Sequence, residues 1–162
     1  MHFREKQMLC YLIAVSMRDF LPTPLKPVFR ESVQETDYVN DFDLPYVRLR
    51  VHIETANGDV EKFTIQLEYN VALVGPGKND WGPLARFDHN PHSKRGHDVT
   101  QEGLHLDLID PDGTKYKVRR GFPNKPINDY PKHCELYLLD KSRRLTLDFE
   151  RRNNLSGKYY SP

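Results

Sequence analysis

Two stretches of the chain alternate strictly between apolar and polar residues. In 46–54, Val47, Leu49, Val51 and Ile53 alternate with Arg48, Arg50, His52 and Glu54. In 61–73, Phe63, Ile65, Leu67, Tyr69, Val71 and Leu73 alternate with Lys62, Thr64, Gln66, Glu68, Asn70 and Ala72. A period of two sends successive side chains to opposite faces, so both stretches read as half-buried strands. Asn57-Gly58 between them supplies the positive φ that a tight hairpin turn needs. Leu84–His89, Leu104–Ile109 and Lys115–Arg119 read as three further strands. Asp110-Pro111-Asp112-Gly113 is a turn signature between the last two. Glycine and proline at 75–77 and 81–83 bracket a loop before the third strand. The connections are short or turn-like, which predicts an antiparallel meander.

After Asn124-Lys125-Pro126 the period changes. Tyr130, Cys134, Tyr137 and Leu138 have helical spacing. Arg144–Arg151 fits either period: Leu145, Leu147 and Phe149 alternate, whereas the flanking Arg and Glu suit a helix, and a helix is the reading adopted. The expected fold class is α+β, an antiparallel five-stranded meander over 46–120 with C-terminal helices in 127–154 packed on one face. Residues 46–162 then form a single domain. Residues 1–45 form an N-terminal segment carrying a Pro-rich strap, Leu21–Pro27, whose three prolines favour an extended chain.

A length of 162 residues suits one domain, and 24 Lys plus Arg against 23 Asp plus Glu rule out a uniformly basic coat. A charged partner must meet a local patch. Cys10 and Cys134 have no paired neighbour, so they supply no cysteine-only metal site and read as idle thiols in a reducing cytoplasm. No apolar run is long enough to span a membrane. Met8–Val15, preceded by Arg4 and Lys6, reads either as a docking helix or strand or as a short signal peptide processed near Ser16.

The polar positions of the strands gather on the face opposite the helices. Arg48, Arg50, Lys62, Lys115, Lys117 and Arg119 make that face basic, a candidate surface for a nucleic-acid backbone. An ordinary solvated sheet face is the plain alternative. A sharper signal lies in 86–107, 22 residues that hold four of the seven histidines: His89, His92, His97 and His105. Arg86 and Asp88 are two apart on one strand, as are His105 and Asp107, so each pair shares a face, with Cα atoms about 6.5–7 Å apart. Leu104, Leu106 and Leu108 claim the opposite face from His105.

Three chemistries can use this set. One is metal-free cleavage of RNA, with His92 and His105 as the acid–base pair and His97 as substitute. Arg86 then clamps the phosphate, and Asp88 and Asp107 orient the histidines. The second is a divalent metal site built from Asp88 with His92, His97 or His105. The third is structural, with Asp88 paired to Arg86 or His105. The first needs no cofactor.

Arg86, Phe87, Asp88, Pro91 and His92 match, position by position, an Arg-aromatic-Asp-Asn-x-Pro-His-His stretch, and His105 matches one histidine of a later cluster. In these residues the chain resembles the TumE-type toxin family of toxin–antitoxin systems, over roughly 46–110. His89 stands in place of Asn, Ser93 in place of the second His and Asp107 in place of the last His of the later cluster. The resemblance implies a cytoplasmic toxin that acts as a ribonuclease, with RNA and a cognate antitoxin protein as partners. The exchange at Asp107 leaves a metal-dependent or a non-catalytic variant open. A non-catalytic nucleic-acid or protein binding module on the basic face is the alternative. Oligomeric state is left open, a homo-oligomer included.

Overall fold

Hydrophobic alternation builds one sheet. The computed structural model describes residues 32–74, 81–94 and 96–162. Strands β1 (Val33–Asp43), β2 (Val47–Ala56), β3 (Asp59–Asn70), β4 (Trp81–His89), β5 (Leu106–Ile109) and β6 (Lys115–Arg119) lie side by side in chain order. Every neighbouring pair is antiparallel. The one-turn helix α1 (Val99–Glu102) sits between β4 and β5, and the long helix α2 (Tyr130–Arg152) follows β6.

The α+β class and the meander are as expected, but the sheet has six strands rather than five. The additional strand, β1, lies in the segment expected to be a separate head, so the sheet begins at Val33 rather than near residue 46. It pairs with β2 from Val33 opposite Ala56 to Asp43 opposite Val47. As an edge strand it buries little on either face and carries no apolar alternation. The Met8–Val15 stretch, Cys10, the Leu21–Pro27 strap and the Gly75-Pro76-Gly77 loop lie outside the described residues.

The β2–β3 hairpin turns on Asn57 (φ 54°) and Gly58 (φ 91°), a backbone that glycine adopts without strain. Inward residues of β2, β3 and β4, among them Leu49, Val51, Phe63, Ile65, Leu67 and Phe87, meet Cys134, Leu138, Leu145 and Phe149 of α2. Each fully buried side chain of this size contributes about 1.5–3 kcal/mol. The C-terminal part holds a single helix of 23 residues where several were expected, and Arg144–Arg151 belongs to it. Leu145 and Phe149, four residues apart, reach the core, whereas Leu147 is only half-buried. That spacing is the helical one.

Beyond α2 the chain folds back onto a carboxylate. Glu150 is wholly buried. It accepts hydrogen bonds from the Tyr69 hydroxyl (2.9 Å) and from the backbone N–H groups of Lys158 (2.6 Å), Tyr159 (2.8 Å) and Tyr160 (2.9 Å). Burial, together with this carboxylate, pushes the Tyr69 hydroxyl pKa well above its ordinary value. Gly157 lies so close to Glu150 and Tyr69 that a Cβ has no room. Lys158 and Tyr159 both reach Asp43 at the end of β1.

A bulge interrupts the β5–β6 pairing between Leu108 and Ile109. Lys115 stands opposite Ile109, and Lys117 stands opposite Leu108. Neighbouring residues of β5 point to opposite faces, so the extra residue on β6 sends Lys115 and Lys117 to different sides of the sheet.

Candidate functional site

The sheet face turned away from α2 carries the candidate chemistry. Arg86 and Asp107 stand opposite each other on β4 and β5. The loop after β4 is held over them by its own bonds. Asn90 N–H donates to the carbonyl of His97 (2.8 Å), and Val99 N–H donates to Nδ1 of the buried His89 (3.2 Å). Asp98 caps α1 by accepting from the N–H (2.9 Å) and hydroxyl (2.5 Å) of Thr100. The Thr100 bonds hold the Asp98 carboxyl below the ordinary carboxylate range. Burial lowers the pKa of His89, against an opposing pull from Asp98. Gly103, at φ 75°, ends the turn of α1 and leads into His105.

Four of the six expected catalytic residues come together around Asp107, which has no solvent exposure. The His97 and His105 rings meet edge to face with centroids 4.5 Å apart. His105, 4% exposed, places Nε2 3.9 Å from Asp107 Oδ1. Arg86 Nη2 lies 3.9 Å from Asp107 Oδ2. Asp88 remains beside Arg86, with Nε to Oδ1 at 3.8 Å. His92 is not part of the group: its side chain is 77% exposed and bonds Glu61 at 3.1 Å. The ring beside His105 is thus His97, the expected substitute, rather than His92, the expected partner, which bonds Glu61 instead.

Lys115 joins the site from β6. Its ammonium lies 2.6 Å from Asp107 Oδ2 and 3.3 Å from His97 Nε2. Sequence reasoning placed Lys115 only among the nucleic-acid contacts. Its route to Asp107 runs through the β6 bulge, which no residue type announces.

The ring tautomers follow from the partners. His105 Nδ1 faces the Gly103 carbonyl at 3.3 Å, which can only accept, so Nδ1 carries the proton. His97 Nδ1 faces the Glu102 carboxylate at 3.3 Å and carries its proton for the same reason. In the neutral rings Nε2 is then the lone-pair nitrogen, directed toward Asp107 in His105 and toward the Lys115 ammonium in His97. Neither Asp107 oxygen accepts a well-aligned hydrogen bond, although Lys115 is close. Arg86 Nε and Asp88 Oδ1 are likewise without one. His97, His105 and Asp107 each offer a ligand atom, all within 4.8 Å of one another. Glu35, Asp37 and His52 form a second, more exposed group of this kind.

The basic surface is reduced by the same structure. Arg48 pairs with Glu68 (2.6 Å), Arg50 with Asp37 (3.0 Å) and Lys62 with Glu54 (2.5 Å). Asp37 belongs to β1, the strand missing from the sequence reading, and supplies charge that cancels the expected excess. Lys117 and Arg119 are on the other side. With Leu84, Leu108, Leu145 and Phe149 they line a cavity of about 490 Å³ between β6 and α2. Arg119 sits 3.8 Å from Asp148 there. The expectation of one face carrying all six basic residues is thus corrected for Lys117 and Arg119, which lie on the helix side, whereas Arg48, Arg50 and Lys62 stay on the face but are ion-paired.

Among the described residues no helix is long and apolar enough to cross a membrane. Residues 33–155 match the family model described as a domain of unknown function, DUF7718. No curated protein and no solved structure matches the chain.

Proposed function

The chain belongs to the DUF7718 family, and from that premise and the geometry around Asp107 we propose that it is a phosphodiester hydrolase, a toxin-like ribonuclease. One observation carries the reading. A buried carboxylate, two imidazoles presenting Nε2 and two cationic side chains converge at one point of an otherwise ion-paired sheet face. Arg86 and Lys115 are the groups that meet a phosphate, the first as a planar fork and the second as a point charge. The His97–His105–Asp107 group takes charge of the nucleophile. In the neutral rings Nε2 is the free nitrogen, and there it accepts or holds a proton rather than donating one. This favours nucleophile activation over the two-histidine acid–base exchange expected from sequence.

RNA is the substrate that the TumE-type resemblance suggests, and an antitoxin is the partner it suggests. Purified protein is incubated with end-labelled RNA beside Arg86→Ala and Asp107→Asn. The expectation is cleavage by wild type and a loss of about 100-fold in either variant. Absence of cleavage by wild type, or equal cleavage by Asp107→Asn, overturns the reading. Binding without cleavage, weakened by Arg48→Ala and Arg50→Ala but not by Asp107→Asn, returns the protein to the binding-module alternative.

A further inference from the structure

We propose that His97, His105 and Asp107 bind a divalent first-row transition-metal ion, with Lys115 as a tethered cation that yields its place to the ion. The inference deepens the hydrolase reading and rests on it for the ion's catalytic role; ion binding itself stands on the geometry.

Three observations carry it. First, the ligand atoms lie within 4.8 Å of one another, so a contraction of roughly 1.5 Å at most brings them to the tetrahedral spacing of ligands held about 2.0–2.2 Å from an ion. Second, each imidazole is anchored through the nitrogen that does not face Asp107. His97 Nδ1 donates to a carboxylate, Glu102, and His105 Nδ1 donates to a carbonyl, Gly103. Such anchoring fixes the tautomer that leaves Nε2 free and is the usual outer support of a metal-binding histidine. Third, His105 Nε2 and Asp107 Oδ1 face each other at 3.9 Å, too far apart for a direct hydrogen bond. Asp107 is wholly buried, and neither of its oxygens accepts an aligned hydrogen bond. A buried carboxylate under those conditions favours a cation.

The Lys115 ammonium shows where that positive charge goes. It touches Asp107 Oδ2 and His97 Nε2 at 2.6 and 3.3 Å. Its side chain is 42% exposed, so it can swing outward. Two imidazoles and one carboxylate select zinc, manganese, iron or cobalt over calcium and magnesium. Three protein ligands leave positions open for water and substrate, the arrangement of catalytic sites. Arg86, 3.9 Å from Asp107, stands beside those positions.

The test is titration of the full chain, stripped of metal by dialysis, with zinc by calorimetry and with cobalt by visible absorption. Wild type is expected to bind one equivalent, with a cobalt spectrum showing nitrogen and oxygen ligands. His105→Ala and Asp107→Asn lose that equivalent while keeping the wild-type circular dichroism. Glu102→Gln binds roughly 10-fold more weakly, because His97 loses its anchor. Lys115→Met binds more tightly, because the competing ammonium is gone. No binding by wild type overturns the proposal, as does equal binding by wild type and Asp107→Asn, or weaker binding by Lys115→Met. RNA cleavage that persists in chelator overturns the ion's catalytic role and keeps the hydrolase. One bound ion with no cleavage keeps the metal and overturns the hydrolase.

Discussion

Glu150 and Asp107 are both wholly buried carboxylates, one on the helix side of the sheet and one on the outer side. Glu150 accepts hydrogen bonds from four donors and ties the tail at 158–160 to α2 and β3. Asp107 accepts no aligned hydrogen bond and is approached by the Lys115 and Arg86 cations at 2.6 and 3.9 Å and by the His105 ring at 3.9 Å. Burial costs each carboxylate its hydration. Only Glu150 is repaid within the fold by directed bonds, which marks it as structural. Asp107 keeps capacity for something outside the polypeptide, and active sites are where proteins retain such unsettled charge.

The comparison breaks if the two residues respond alike to substitution. The largest effect is expected at Glu150→Ala, which strands the Tyr69 hydroxyl and frees the tail. A loss of about 3 kcal/mol should appear in urea unfolding, with limited proteolysis now cutting near residue 157. Gly157→Ala follows at about 1–3 kcal/mol, because its Cβ collides with the Glu150 carboxylate. Asp107→Asn should change stability by less than about 1 kcal/mol, since a neutral amide is cheaper to bury and the cations beside it, Lys115 and Arg86, are partly exposed and can turn to water. Cleavage of RNA should nevertheless fall away. A cost at Asp107 equal to that at Glu150 would make both structural and remove the argument for a site.

The smallest effect is in pH. Burial holds the His89 pKa below the ordinary histidine value, and burial does the same to His133. Between the folded and unfolded values the unfolded chain binds more protons, so stability falls as pH drops below about 6.5. His89 also accepts from Val99 N–H, a bond that protonation at Nδ1 removes. Melting temperature should therefore decline on going from neutral to mildly acidic buffer. His89→Gln should flatten that slope, and an unchanged slope would place the acid sensitivity elsewhere.

The legible part of this protein is its middle. Val47 to Tyr69 declare two strands and a turn because both strands are buried on one face and wet on the other. The pair His105 and Asp107 was legible from its alternation with Leu104, Leu106 and Leu108, although both faces of β5 are buried. Val33–Asp43 stayed hidden because an edge strand that buries little needs no alternation, and its Asp37 changed the charge count of the face. Arg144–Arg151 was ambiguous because its buried residues, Leu145, Thr146, Phe149 and Glu150, include a charged one, while Leu147 falls where a strand would also want it. His92 and His97 were indistinguishable as loop residues. Their separation depends on Asn90 bonding the His97 carbonyl and on Asp98 capping α1, contacts set by the loop's own path.

The bulge opposite Ile109 makes the length of β6 as consequential as its composition. Removing Tyr116 alone would restore an unbroken ladder between β5 and β6. The strand's two lysines would then be neighbours and would still point to opposite sides of the sheet. Pairing Tyr116 into a regular ladder, with the strand at its full length, would instead put both lysines on one side. In a relative paired that way, a lysine at the position of Lys115 would not mean an ammonium beside Asp107.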